Sequence, residues 1–252
     1  MLSVSSSAPV VVLSPHLDDA VLGCWTLLAR PSPVIVVNVC TAVPPPGVLG
    51  PWDRVVGATD SAALVAERLD EDGAALKALG CEVIALGFLD SQYRDGPLDG
   101  RAIARRMSAL IPSASSLVAP SGIGGHDDHV AVRSAAVQIV ESSGIRARFY
   151  AELPYAAAFG WPHWVTQSEP NPRLCIDAHW EIFLAGLREC FPSLQPSVTL
   201  LEEPQRAAKL KTLRLYRTQF DFLNGGPLDR FSKGDILGYE VEWIPIWRAN
   251  RS

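Results

Sequence analysis

Five short runs of β-branched and aliphatic residues punctuate the first two thirds of the chain, at 9–14, 34–41, 81–88, 116–121 and 147–153. Between them the apolar positions take on the spacing of amphipathic helices, at 19–29, 60–79, 98–111 and 127–142. The alternation predicts strand and helix in turn. Val10-Val11-Val12-Leu13 and Val34-Ile35-Val36-Val37 are apolar without interruption, which suits strands covered on both faces. A layered α/β fold with a mainly parallel sheet follows. Right-handed crossovers then gather the strand C-terminal ends on one edge, where such sheets bind ligands.

Elsewhere the pattern is less regular. Residues 42–59, just past the second strand, carry Pro44-Pro45-Pro46-Gly47 and Gly50-Pro51-Trp52, and read as a long loop that is either a lid or a mobile spacer. A second irregular stretch, 155–171, sets Trp161, His163 and Trp164 among prolines. The tail predicts helices at 182–190 and 203–220, the second from the spacing of Leu210, Leu213, Tyr216 and Phe220, and then an edge strand at 239–247. No internal repeat divides the chain. The expectation is one domain over 1–252: an α/β core at 8–155, then a loop, helix and edge-strand extension at 156–252.

Composition narrows the function classes. Of 252 residues, 48% are hydrophobic and 19% charged, enough apolar material for a sizeable core and too little charge for a disordered chain. Twenty-two basic against twenty-seven acidic side chains leave a net charge of −5, which argues against a nucleic-acid surface or an anionic-membrane surface. The longest apolar run, 8–13, is far short of the ~20 residues that span a bilayer. Residues 1–7 hold no Lys or Arg, unlike a secretory signal, so a cytoplasmic location is expected. Five cysteines without a C-x-x-C pair read as reduced thiols filling core space.

Chemistry enters at two strand ends. After the first strand comes Ser14-Pro15-His16-Leu17-Asp18-Asp19-Ala20, where a dinucleotide-binding protein would carry a glycine-rich phosphate loop. One acid there could be a helix N-cap, but a cap needs a single carboxylate. Two acids beside a histidine repel each other, and a divalent cation offsets that cost. After the fourth strand comes Gly122-Ile123-Gly124-Gly125-His126-Asp127-Asp128-His129. Three of the five histidines therefore stand at two junctions that the fold brings to one edge. Two imidazoles and a carboxylate are a ligand set for a catalytic divalent metal, zinc first, with a position left for water. A neighbouring carboxylate can then act as base, and a spare histidine can donate to an oxyanion or a leaving amine.

These residues resemble the LmbE-like, PIG-L-type zinc-dependent N-deacetylases, which remove acyl groups from N-acyl-glucosamine units. The family's first motif, A/S-H-P-D-D-E, is met by His16-Leu17-Asp18-Asp19-Ala20, and its second, H-P-D-H, by His126-Asp127-Asp128-His129. The likeness runs from about residue 8 to 220 and implies a Rossmann-like three-layer fold. It implies His16, Asp19 and His129 as metal ligands for Zn2+, with Fe2+ an alternative, and Asp18 as general base. It further implies His126 as acid or oxyanion donor with Asp128 orienting it, and Arg68 and Asp95 on the sugar hydroxyls. Leu17 and Ala20 depart from the motif's proline and glutamate. Some members place a tyrosine two residues before the second motif; this chain has Gly124 there, and Tyr155, Tyr93 or His163 could take that part.

The resemblance implies a small-molecule glycoconjugate as partner and leaves homo-oligomerisation open. Residue by residue, plainer readings stand beside it: Arg68 pairing with Glu71 or Asp72, Asp95 as a turn residue, and His163 and His179 packed on Trp164 and Trp180. Two other functions compete. The same ligand set on Fe(II) could activate oxygen, although Asp18 then has no evident use. A non-catalytic sugar-binding relative would not need a water-activating acid.

Overall fold

The computed structural model describes residues 8–108, 116–158, 160–170, 172–225, 230–233 and 235–246. Strand β1 (Val10–Ser14) lies parallel to β2 (Val34–Cys40), with Val10 opposite Val34 and Ser14 opposite Asn38. Helix α1 (Asp19–Leu28) connects them. After β2 come α2 (Pro51–Val55), α3 (Ser61–Ala78) and β3 (Glu82–Phe88), which pairs outside β2. The chain then reverses direction across the sheet. Helix α4 (Gly100–Ser108) leads to β4 (Ser116–Pro120) on the free side of β1, and α5 (Asp127–Ser143) to β5 (Ala147–Tyr150) beside β4. The C-terminal ends of β1 and β4 thus flank the point where strand order reverses, the crevice such sheets use for ligands.

Val12 and Leu13 face opposite sides of the sheet and both are fully buried, as are Leu117 and Val118. That double cover is why these strands are apolar throughout. The helices fall into two packed groups, α4 with α5 and α1 and α3 with the C-terminal helices. All five predicted strands and four predicted helices are present with ends moved by a few residues; Ile111, at the end of one predicted helix, lies outside the described residues.

The later chain differs more. Helices α6 (His163–Thr166) and α7 (Ile176–Cys190) precede β6 (Leu194–Leu200), and α8 (Glu203–Leu213), α9 (Arg217–Leu223) and β7 (Tyr239–Pro245) follow. Both strands join the same sheet antiparallel, giving the order β3-β2-β1-β4-β5-β7-β6. The predicted edge strand at 239 is therefore internal: Val241 and Trp243 are buried in it, and the edge is β6, whose Pro196 hid the strand pattern. Trp247, at the end of that prediction, lies outside the described residues, as do residues 1–7 and Asn171.

The predicted helix at 203–220 is two helices. Tyr216 leaves helical geometry at φ −83°, ψ 62°, and its hydroxyl donates to Asp72 Oδ1 at 2.8 Å. One residue on, α9 starts with Thr218 N and Oγ1 donating to Glu71 of α3, at 3.1 and 2.8 Å. Those tertiary bonds override a continuous helical period. Among the described residues no helix is long and apolar enough to cross a membrane. The cysteines are unpaired; Cys24 and Cys40 fill core, while Cys175 and Cys190 are exposed, against the expectation that all pack inside.

Candidate active site

The turn after β1 is held by its own short side chains. Ser14 Oγ donates to His16 O at 2.6 Å and accepts from Ala20 N at 3.0 Å. Asp19 Oδ2 accepts from His16 N at 2.8 Å. Asp18 occupies the N-cap position of α1, yet its side chain makes no capping bond. The helix start therefore does not account for the second acid.

After β4 the chain must turn through a narrow space. Gly122, Gly124 and Gly125 all have positive φ, between 70° and 92°, where a Cβ is strained. Buried Glu152 braces this loop, accepting from Ser121 Oγ at 2.7 Å, Gly122 N at 2.6 Å and Ile123 N at 3.2 Å. His126 caps α5 by accepting from Asp128 N on its Nδ1 at 3.3 Å, which leaves the neutral ring's proton on Nε2. His129 follows on the first turn, fully buried.

These two turns meet. His16 Nδ1, Asp19 Oδ2 and His129 Nε2 form a triangle with edges of 3.3 Å (His16 to Asp19), 3.2 Å (Asp19 to His129) and 3.2 Å (His16 to His129). Donors around a tetrahedral zinc with 2.0–2.1 Å bonds stand about 3.3 Å apart, so the three atoms fit one face of such a site without rearrangement. His126 also offers a nitrogen within the same cluster.

The outer nitrogens of the two ligand-candidate imidazoles face carboxylates. His16 Nε2 lies 3.1 Å from Asp128 Oδ2, and His129 Nδ1 lies 3.4 Å from Glu152 Oε1, the latter an ion-pair contact without hydrogen-bond geometry. Such partners fix the ring orientation of metal-bound histidines. Asp128 in turn is held by Arg94 Nη2 and by Ser91 N at 3.0 Å. Its carboxylate thus serves His16, not His126 as the resemblance implied, and only its backbone N–H touches His126.

Charge follows the same logic. Burial opposes a charge on His129, but Asp19 and Glu152 outweigh it and raise its pKa to about 9; Asp128, Asp19 and Asp90 likewise raise that of His16. Those protons sit where a cation would replace them. Burial and the adjacent Asp19 charge push Asp18 up to about 7, while His16, Arg68 and His129 pull it down. Burial lowers the pKa of His126, keeping it neutral.

A cavity of about 300 Å³ opens over the triangle. Asp18, Arg68 and Tyr155 line it. Arg68 is buried and paired with Asp53 Oδ1 at 3.2 Å rather than with Glu71 or Asp72, and its Nε and Nη2 have no hydrogen-bond partner. Asp95 is not brought in: the turn at Gly96 leaves it exposed, and the acid this loop supplies to the cavity is Asp90. Tyr155 packs over Gly124, where a Cβ would come 2.5 Å from the Tyr155 Cβ. Its ring centroid is 5.5 Å from that of His129 and 6.0 Å from that of His126. Of the other two candidates, Tyr93 spends its hydroxyl on Asp53 at 2.5 Å, and His163 pairs with Asp177 beside a separate cavity. Trp161 and Trp164 pack on Trp180, leaving Trp52 at the cavity. Sequence reasoning gave no role to Asp53, Asp90, Arg94 or Glu152; none has a local pattern that marks it.

The PIG-L family, described as GlcNAc-PI de-N-acetylase, matches residues 11–140, which holds both motifs. The chain belongs to this family. A 2'-N-acetylparomamine deacetylase of Streptomyces fradiae is 30% identical over 166 residues, covering 58% of this chain and 57% of its own length, so the match spans little more than half of that relative. The zinc-inhibited form of the teicoplanin deacetylase Orf2 superposes with TM-score 0.68 at 23% identity, over 97% of this chain and all of that one. The A40926 pseudoaglycone deacetylase Dbv21 gives TM-score 0.68 at 24% identity, over 98% and 100%. N,N'-diacetylchitobiose deacetylase from Pyrococcus horikoshii gives 0.55 at 17%, over 97% and 88%. At those identities the structural likenesses establish the shared fold.

Proposed function

We propose that this chain hydrolyses the amide of an N-acyl-aminosugar conjugate, with His16, Asp19 and His129 holding a zinc ion. The observation that carries the reading is the 3.2–3.3 Å donor triangle with an adjacent carboxylate, Asp18, that the helix start does not use. A divalent cation bound there supplies Lewis-acid polarisation of an amide carbonyl and a water acidified toward neutral pH. Asp18, beside the triangle, would be the group that accepts a proton from the attacking water. Burial and the Asp19 charge raise its pKa to about 7, against the pull of His16, Arg68 and His129, which suits a group that takes up and gives back a proton near neutral pH. Asp18, once protonated, would return that proton to the departing amine, while His126, neutral with its proton on Nε2, would donate a hydrogen bond to the developing oxyanion. Tyr155, whose hydroxyl stays protonated because burial raises its pKa to about 12, donates to the developing oxyanion in place of the tyrosine that Gly124 excludes. Arg68, which lines the cavity, is placed to meet a sugar hydroxyl.

Relatives whose names specify paromamine, chitobiose and teicoplanin substrates support the class of N-acetylated sugar conjugate. The test is elemental analysis of the purified protein together with amine release from a panel of N-acyl-glucosamine conjugates. Stoichiometric zinc with turnover on at least one conjugate is expected. A protein loaded with zinc, then with iron, that releases no amine from any of them overturns the reading.

A further inference from the structure

Both oxygens of the buried Asp128 carboxylate are engaged. Oδ2 accepts from Ser91 N at 3.0 Å and meets His16 Nε2 at 3.1 Å, while Oδ1 accepts from Arg94 Nη2. The Arg94 guanidinium is fixed in its turn, for Nη1 donates to Leu89 O at 2.7 Å and Nε to Gly96 O at 3.2 Å. Only 11% of the Arg94 side chain is exposed, and none of Asp128. A buried ion pair of this kind adds little net stability, since apolar side chains of similar volume often serve as well. Its presence calls for a task that packing cannot perform.

That task is the orientation of His16. A carboxyl group turns easily about its last bond, because the torsion there is broad and two-fold. The Asp128 backbone alone therefore cannot aim Oδ2 at an imidazole. Ser91 N fixes one oxygen and Arg94 the other, and together they set the plane of the carboxylate. His16 depends on such a partner more than His129 does: the His129 ring is wholly enclosed, whereas 18% of the His16 side chain is exposed where it lines the cavity. Glu152, which faces His129, is braced by donors from Ser121, Gly122 and Ile123. Arg94 does the corresponding work for Asp128, from the loop after β3. With the Nε2 proton held by Asp128, the neutral His16 ring turns its lone pair out on Nδ1, the atom that meets Asp19 and His129.

We propose that Arg94 is a positioning residue of the metal centre, acting through Asp128 to hold His16 Nδ1 toward Asp19 and His129. This rests on the triangle as a metal site and not on the reaction, so zinc binding is read without substrate. Arg94→Met and Arg94→Gln are expected to lower zinc affinity about 10–100-fold, measured by competition with a chromophoric chelator, as loss of an outer partner of a metal-bound histidine does. Asp128→Asn should lower it to a similar extent. Adding Arg94→Met to Asp128→Asn should then cost less than about threefold more, because the route through the carboxylate is already cut.

Affinity equal to the parent's in both Arg94 variants overturns the proposal, and so does a full second loss in the double variant. Where the single variants do not fold, the double variant leaves no buried charge unpaired, and its comparison with Asp128→Asn decides by the same criterion. Tyr93→Phe frees the same loop from Asp53 and is expected to keep zinc affinity; a loss as large as that of the Arg94 variants would reduce the effect to general loosening of the loop and overturn the proposal. A parent protein that binds no zinc removes the metal site and this role together. One that binds zinc with the expected dependence on Arg94, yet releases no amine from any conjugate, keeps the role and removes the deacetylase reading.

Discussion

One wall of the cavity is made by the turns after β1 and β4, the other by α2 and α9. In the first, each turn is ordered by short-range bonds, Ser14, His16 and Asp19 among themselves and His126 to Asp128, and the two ordered turns then meet through His16, Asp128 and His129. The second wall is assembled by bonds between distant residues: Asp53 to Arg68, Asp72 to Tyr216, Glu71 to Thr218. The first wall places the donor atoms of the triangle 3.2–3.3 Å apart. The second places surfaces. The chemistry of the family can therefore persist in two short motifs while the shape facing the substrate is set by unrelated segments.

The sharpest way to test that division is to remove the proposed base. Asp18→Asn is expected to lower kcat by about 10²–10⁴-fold while retaining metal, measured by amine release and elemental analysis. Equal activity would take Asp18 out of the mechanism. His129→Ala should instead lose metal, with activity falling in proportion, and full occupancy would break the triangle assignment. Tyr155→Phe is expected to cost about 10²-fold in kcat with little change in KM, as removal of one oxyanion donor does; a change confined to KM would make it part of the second wall.

Smaller effects probe the wall itself. Asp53→Asn should raise KM by roughly tenfold and leave kcat within about threefold, since it loosens Arg68 without touching the amide. A matching loss in kcat would show the two walls to be mechanically one. The smallest expected effect is a pH shift. Asp18 is a base only when ionised, so kcat/KM falls as the pH drops through its pKa. Arg68 pulls that pKa down, so Arg68→Gln should move the acid limb to higher pH; an unmoved limb would mean the two groups do not interact.

The same division explains what the sequence made legible. Continuous Val and Ile runs and the helical periods were enough for β1, β2, β4 and β5 and their connecting helices, because burial on both faces of the sheet dictates those residues, whereas β3 is an exposed edge strand with only Leu86 buried. His16, Asp18, Asp19, His126 and His129 were readable because their types and spacing are unusual for any other purpose. Asp53 gave no signal: an acid in a proline-rich loop looks solvated, and its burial depends on Arg68, fifteen positions later, and on Tyr93 beyond that. Asp95 misled for a related reason. Asp95 stays exposed while its neighbour Arg94 turns inward, to Asp128, and Gly96 at φ +81° carries the chain away. The break at Tyr216 was hidden because Leu213, Tyr216 and Phe220 keep helical spacing across it, and only Asp72 and Glu71 show why the backbone departs.

Gly124 and Tyr155 share one volume, so they form an exclusive pair: a tyrosine at one position forbids a large side chain at the other. Moving the hydroxyl between these two mounting points by single substitutions has to pass through an ancestor or a designed variant with neither. Anyone transplanting loops among these enzymes inherits that constraint, and should exchange the segments bearing 124 and 155 together.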